Sequence, residues 1–492
     1  MPGTEPIAPE AVGGRARQAV RWSALAILAK QGCQMAGALV LARILGPSSY
    51  GVISVATVYV TLTTLLLDQG LASALIQRPD LGRRAVGAVT TVNLLSGIVL
   101  GALTWVAAPW LADFFDVDGL TPLLRVLGAG LLLKAVAITP RAMLMRAIRL
   151  RPVAVADVLG STLGVCVAVS AALSGAGYFS MLGQVLATDL VLAVVLLVAG
   201  GAARPNLDLA ALRTVLPYGL RIFGVNGLAF FSRNADNILV GRFLGVTSLS
   251  YYSMAYRVLV IPVQLLGQTV NRVLFPAFSR IASDRDSLAT NLLRATETLA
   301  MAAVLPMVLA AVAAPELVAL VLGPSWAPTV PILAVLAVAG ARETVFYVTG
   351  ALMRATGAAG TNLRYEILAT VVQLTGIVIG LQFGLLGVAL GYATAGFALV
   401  PVLLVIQRRL TGVSWAAQLG TLLPPVHACL WGAAAYLGVG LLPLVDLAHL
   451  LVGSAGYVLV ALAVLRLMHR AALRRTTVFL QSLAGRAPRA AA

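Results

Sequence analysis

The sequence holds 492 residues, 60% of them hydrophobic and 11% charged, and its mean hydropathy is +0.95. Soluble chains carry about 25% charged residues, so this one cannot clothe a water-facing surface and reads as an all-α polytopic membrane protein. Its net charge of +17 reads as arginine collected on inner loops, with no nucleic-acid partner implied.

A tail over 1–21 precedes the first apolar run. That run starts near Trp22 and lacks a small-residue cleavage site, so it reads as a retained helix rather than a signal peptide. Apolar stretches between charged or Gly/Pro breaks then predict about fourteen spans. In chain order they cover 22–42, 50–76, 85–111, 123–140, 153–174 and 181–203, then 215–240, 249–276, 297–322, 329–352, 365–383 and 385–406, and finally 421–441 and 445–467. The first six make an N-lobe over 22–203 and the next six a C-lobe over 215–406. Two appended helices follow over 421–467, and a basic tail over 468–492 ends the chain.

The connections alternate in charge. One set is basic, running over 77–84, Arg141–Arg151, Arg204–Arg213, Arg280–Arg294, Arg354–Arg364 and Arg408–Arg409; the opposite set carries only Arg43 and Arg242. The positive-inside rule then puts both termini in the cytoplasm. No connection is long enough to fold as a separate domain, so the function has to lie within the bilayer.

Residues 42–60 align with residues 241–259. Arg43 meets Arg242, Leu45 meets Leu244, Gly46 meets Gly245, Ser49 meets Ser248, Ser54 meets Ser253 and Ala56 meets Ala255. Both copies follow the first span of a six-span block. Six spans is an even number, so the two lobes have parallel orientation, as in transporters whose site lies at the repeat interface.

Ionisable groups inside spans are costly and mark cavities or partners. Span 1 carries Lys30 and Gln34 one turn apart, and span 2 carries Thr57, Thr61, Thr64 and Asp68 along one stripe. Span 7 carries Arg221, Asn226, Arg233, Asp236 and Asn237, and span 8 carries Arg257, Gln264, Gln268 and Arg272. Lys30, Arg221, Arg233, Arg257 and Arg272 outnumber the two acids beside them, and a cationic cavity suits phosphate oxygens.

Plainer readings stand beside this one. Arg221, Arg257 and Arg272 can snorkel from helix ends, Arg233 can pair with Asp236, and Asp68 can be a structural acceptor rather than an ion or proton site. Gln34, Asn226, Asn237, Gln264 and Gln268 are polar lining or ion-coupling candidates. Asp157, Asp189, Arg342, Glu343 and Glu366 read as loop-proximal and structural. Arg43 and Arg242 read as caps on helix C-termini at the outer mouth. Gly97-xxx-Gly101 and Gly160-xxx-Gly164 read as close helix packing.

Cys33, Cys166 and Cys429 have no pair spacing, and no catalytic, metal or nucleotide motif is present. A transporter without an enzyme activity, a metal or a cofactor is expected, driven by Na+ or H+ or by the substrate gradient.

Several segments resemble bacterial oligosaccharide and polysaccharide flippases of the Wzx type, within the MATE-like superfamily. They are LARILGPSSYGVISVA (41–56), LDQGLASALIQRPDL (67–81), APELVALVLGPSWAPTVPIL (314–333), SRNADNILVGRFLGVTSLSYYSMAYRVLVIP (232–262) and NRVLFPAFSR (271–280). The resemblance covers about residues 15 to 410. It implies two six-helix lobes around a cationic cavity in a bacterial inner membrane. It also implies an undecaprenyl-diphosphate-linked oligosaccharide as substrate, passed to the outer leaflet by alternating access. Membrane lipids and other polysaccharide assembly proteins are the implied partners. Rival readings are a lipid II-type flippase, another MATE-like exporter, a membrane polysaccharide polymerase or ligase, and a non-transporting scaffold.

Overall fold

The computed structural model describes residues 9–77, 82–269 and 273–483, with side chains left out for 9–25, 479–483 and a scatter of positions between 214 and 269. The described residues form helices and no strand. They divide into two compact units, residues 1–249 and 250–492.

In the first unit, α1 (Pro9–Asp68) is two helical arms joined at Gly46, whose φ of 72° and ψ of 173° leave the helical region. Glycine tolerates that backbone and a side chain does not, and Pro47 then suits the first position of the new helix. The described apolar part, Ala26–Asp68, is 43 residues long. At 1.5 Å per residue that is roughly 65 Å, about twice a hydrocarbon core of ~30 Å, so the arms correspond to the predicted spans 1 and 2. The second arm stops short of its predicted end at 76. Gln69 and Gly70 both take positive φ and start a separate helix, α2 (Leu71–Gln77).

There follow α3 (Arg83–Phe115), α4 (Leu120–Arg146), α5 (Leu150–Leu173), α6 (Ser180–Gly200), α7 (Leu209–Phe243) and α8 (Val246–Thr269), the last reaching into the second unit. α7 bends by 46° between Val215–Phe231 and Arg233–Phe243. The unit boundary at 249/250 leaves α7 packed on α1, α2 and α3.

Small residues set the spacing of these helices, since lipid gives apolar faces no other reason to approach. Gly97 and Gly101 of α3 lie against Ala135 and Gly128 of α4. Gly160 and Gly164 of α5 lie against Thr188 of α6, whose hydroxyl donates to the Gly160 carbonyl at 3.1 Å. Leu71, Ala74 and Leu75 of α2 close a buried cluster with Val86, Val89, Ala142 and Val215.

The second unit continues with α9 (Phe275–Arg280), α10 (Arg285–Val312), α11 (Ala314–Val321), α12 (Thr329–Ala355), α13 (Ala359–Leu381), α14 (Gly384–Ala398), α15 (Val400–Thr411), α16 (Trp415–Gly420), α17 (Leu423–Val439), α18 (Asp446–Met468) and α19 (Arg470–Leu483). Two predicted spans are broken. Span 9 is divided at Ala313 before Pro315, and span 12 at Leu399 before Pro401, because proline lacks the amide a continuous helix needs. Gly376 and Gly380 of α13 meet the backbone of Gly391 and Gly387 of α14.

The appended helices α17 and α18 are docked. Met301 and Ala313 share a buried cluster with Ala428, Tyr436, Tyr457, Ala461 and Leu465. Tyr457 donates to the Leu305 carbonyl at 2.9 Å and Tyr436 to Glu316 at 3.0 Å.

Among the described residues eleven helical stretches, with α14–α15 and α16–α17 each taken as one, are long and apolar enough to cross a membrane, or twelve with the bent α7. The predicted fourteen is not reached by that count. α1 holds two predicted spans in one helix, and α8 is not among the set. The surface is apolar, with Val198 84% and Phe383 74% exposed, as a lipid-facing surface requires.

Candidate functional site: a charged interior in the first unit

Four helices of the first unit bring their charged side chains together. Lys30 on the first arm of α1 approaches Asp157 of α5, Nζ to Oδ1 at 3.4 Å. The other carboxylate oxygen of Asp157 accepts from Arg141 Nη2 of α4. Asp157 is therefore shared by two cations and the cluster keeps one positive charge in surplus. Its side chain is 18% exposed, against 35% for Lys30 and 33% for Arg141. The anion is sequestered while both cations reach the surface. A lysine and an arginine together have eight N–H donors, and one carboxylate cannot satisfy them. The free donors suit a second anion, phosphate oxygens above all.

Seven residues before Arg141, on the same face of α4, Lys134 pairs with Asp189 of α6 at 3.6 Å. Its Nζ also donates to the Thr64 hydroxyl at 3.1 Å. This pair is electrically balanced and well buried, and it ties the threonine stripe of α1 to α4 and α6. Thr57, Thr61 and Thr64 otherwise donate back to carbonyls four residues earlier in their own helix. Gln69 to Ser96 at 2.6 Å and Asn93 to Thr139 at 3.3 Å extend the polar interior through α3.

Two expectations are corrected here. Asp157 and Asp189, read as loop-proximal, lie inside α5 and α6 and hold the two ion pairs. Lys134 and Arg141 were not among the predicted ligands. The available signal was composition: the chain has only two lysines, Lys30 and Lys134, and both fall in apolar runs. Arg342 and Glu343 likewise lie in the middle of α12. Arg342 is 8% exposed against Gly396, and Glu343 accepts from the Tyr392 hydroxyl at 3.0 Å.

The other predicted residues are placed as follows. Gln34 is half-buried, one turn beyond Lys30. Asp68 accepts from the Ala72 amide at 3.3 Å, so it caps the start of α2. Arg221, Asn226 and Arg233 are exposed along α7. Asp236 is buried and accepts from the Asn237 backbone and side-chain nitrogens at 2.7 and 3.1 Å. No Arg233–Asp236 pair occurs among the described ion pairs. Arg257 is half-buried in the second unit. The side chains of Gln264 and Gln268, and Arg272 entirely, lie outside the described residues.

Arg43 and Arg242 are exposed at the two repeated turns. Arg43 stands three residues before Gly46. Arg242 is in the last turn of α7 and over the Phe114 ring at 5.4 Å. The turns themselves correspond, since the paired Gly46 and Gly245 both take positive φ, 72° and 83°. They also meet: a side chain at Gly51 would run into the Val246 carbonyl. No group of three or more His, Cys, Asp or Glu able to hold a metal occurs among the described residues.

A family model described as polysaccharide biosynthesis protein matches residues 40–331. The lipopolysaccharide biosynthesis protein WzxC of Escherichia coli K12 is 25% identical over 376 residues, 76% of each chain. The succinoglycan biosynthesis transport protein ExoT of Rhizobium meliloti is 28% identical over 320 residues, 65% of each. The teichuronic acid biosynthesis protein TuaB of Bacillus subtilis is 26% identical over 299 residues, 60% of this chain and 62% of its own. Among solved structures, the lipid II flippase MurJ in an inward closed conformation gives a TM-score of 0.69 at 13% identity, covering 91% of this chain and 99% of its own. An inward-facing MATE family multidrug transporter of the MOP superfamily gives 0.64 at 18% identity, covering 78% and 95%. At these identities the structural likeness speaks for the fold alone.

Proposed function

This chain belongs to the polysaccharide biosynthesis protein family, and from that premise we propose that it flips a lipid-linked oligosaccharide, carried on undecaprenyl diphosphate, from the cytoplasmic to the outer leaflet of a bacterial inner membrane. The cargo serves export of a surface polysaccharide. The protein works by alternating access, with both termini cytoplasmic, as a transporter and without catalysis. A gradient of Na+ or H+, or of the substrate itself, supplies the energy, and other polysaccharide assembly proteins feed and drain it.

The observation that carries the reading is the Lys30–Asp157–Arg141 cluster. Charge inside a span is retained when it serves a pathway. Here one acid holds two cations in place with donors left over. A diphosphate presents the oxygens those donors lack, while the acid keeps the empty site from being a bare pair of like charges. Arg221 and Arg233, exposed along α7, add attraction for the same group. The family relatives are named for lipopolysaccharide, succinoglycan and teichuronic acid, which favours an anionic glycolipid over the cationic drugs of a multidrug exporter.

The test is leaflet-resolved measurement of lipid-linked oligosaccharide in cells lacking the chain. Its loss should trap the glycolipid in the inner leaflet, and the wild type should release it. Lys30→Ala/Arg141→Ala and Arg233→Ala should fail to restore flipping, while Lys30→Arg should retain most of it. No accumulation in the deletion strain sinks the transport reading. Normal flipping by well-expressed alanine variants sinks the assignment of the cluster.

A further inference from the structure

We infer that the second unit carries a headgroup site for an anionic membrane phospholipid, apart from the charged interior of the first unit and independent of the transport reading. A cavity of about 370 Å³ is lined by Arg285, Val405, Arg408, Arg409 and Trp415. Three of its five lining residues are arginines and none is an acid. The cavity opens at the end of the unit that the loop charges assign to the cytoplasm. It forms where α15 ends and α10 begins, with Trp415 at the first position of α16.

The local helix chemistry does not use up this charge. Arg408 and Arg409 occupy the last turn of α15, where cations favour the helix dipole. Arg285 Nη2 donates to the Arg409 carbonyl at 2.9 Å, which completes that helix end. That bond uses the Arg409 backbone, and the guanidinium groups of Arg408 and Arg409 have no hydrogen-bond or ion-pair partner among the described residues. The acids nearest in sequence are Asp284 and Asp286. The Asp284 carboxylate is taken as the cap of α10, accepting the Asp286 and Ser287 amides at 3.1 Å and the Ser287 hydroxyl at 2.6 Å. Those bonds hold its carboxyl below the usual range, so it stays ionised and capped. Neither acid lines the cavity.

The remaining features select a lipid over a free anion. Trp415 is 43% exposed, and a tryptophan whose ring is part apolar and part polar belongs at the headgroup level. Val405 gives the cavity an apolar side toward the span of α15. A phosphodiester with a neutral glycerol, as in phosphatidylglycerol, fits that division. Its phosphate meets the guanidinium forks, its glycerol the indole, and its acyl chains the surrounding bilayer. Basic pockets on this side of membrane proteins take anionic headgroups for the same reason.

The experiment reconstitutes the full-length chain in phosphatidylcholine vesicles and adds either brominated phosphatidylglycerol or brominated phosphatidylcholine, following tryptophan quenching. The wild type should be quenched more by the phosphatidylglycerol. That excess should disappear in Trp415→Phe, which removes the reporter, and in Arg408→Ala/Arg409→Ala. It should persist in Arg408→Lys/Arg409→Lys, which keeps the charge and controls for folding. Equal quenching of the wild type by both lipids overturns the site. So does an excess that survives Arg408→Ala/Arg409→Ala. An excess erased by inorganic phosphate at constant ionic strength overturns the lipid assignment in favour of a simple anion site.

Discussion

The two units use buried charge differently. In the first, Lys30, Arg141 and Asp157 join α1, α4 and α5, and Lys134 and Asp189 join α4 and α6. These are the helices of one lobe bonded to each other, with a cation left over. In the second unit the ion pairs bolt appended helices onto a lobe. Arg475 of α19 grips Glu297 of α10 through two bonds of 2.8 and 2.7 Å. His449 of α18 meets Glu316 of α11 at 2.6 Å. Each of those acids has a single basic partner. A repeated turn sequence therefore does not imply repeated electrostatics: an acid inside the first unit is shared by two cations, whereas each acid of the second unit's docking contacts has one basic partner.

The comparison is broken most severely at Asp157. Asp157→Ala leaves two partly exposed cations facing each other without their shared acid, and about 2–3 kcal/mol of stability should be lost, toward the lower end of a buried pair's range because water screens them. A fall in the thermal midpoint of the purified protein larger than that of Lys30→Ala is the expected reading, because Lys30→Ala leaves the Arg141–Asp157 pair intact. Equal falls would show that Asp157 is not the shared partner.

Next comes the repeated turn. Gly51→Leu drives a side chain into the Val246 carbonyl, and backbone cannot yield as a side chain can. A loss of about 2 kcal/mol, of the order of overpacking in a core, is expected. Gly245→Val tests the matching conformational requirement alone, since open space surrounds that glycine and its φ is 83°. It should cost roughly 1–2 kcal/mol. Monodisperse yield in gel filtration separates the two, with Gly51→Leu the worse.

The docking pairs should show an asymmetry. Arg475→Ala leaves the buried carboxylate of Glu297 unpaired, whereas Glu297→Gln leaves an arginine that is 52% exposed and can turn to water. Protease release of the C-terminal helix should therefore rise more in Arg475→Ala than in Glu297→Gln.

The smallest effect is one of pH. Trp431 donates to His427 Nε2 at 3.0 Å, so His427 carries its proton on Nδ1, and that N–H donates to His469 Nε2 at 3.1 Å. Burial and then the neighbouring His427 hold the His469 imidazole below its ordinary value. The folded state favours the neutral ring, so this contribution is present above the unfolded value of about 6.5 and fades as pH falls through and below it. Amide protection factors in α19, referred to the intrinsic exchange rate at each pH, should fall between pH 7.5 and 5.5, and His469→Gln should flatten the dependence.

Much of the fold was legible because bilayer physics writes itself into composition. Runs of apolar residues predict spans, and the Gly97/Gly101 and Gly160/Gly164 pairs foretold close packing, whose partners the structure shows to be α4 and α6. The match of Gly46 with Gly245 foretold a shared backbone turn. The breaks at Gln69–Gly70 and before Pro315 and Pro401 carried readable signals that a hydropathy scan smooths over. The candidate site was only half legible. Lys30 stood out as a lone cation in an apolar run, but its acid lies 127 residues away on another helix. Asp68 carried two readings, structural acceptor and ion or proton site, and it accepts from the start of α2.

The sequence by itself determined that this chain is a helical membrane protein of the polysaccharide biosynthesis family, with a repeated turn and an arginine-rich face. Those properties depend on residue type and on local spacing along one helix. Only the tertiary structure decided which charges meet. Lys30 with Asp157 and Arg141, Lys134 with Asp189, and Glu297 with Arg475 are pairings across helices. They depend on the rotation of each helix about its axis, which close glycine contacts set and which no spacing within a single span encodes.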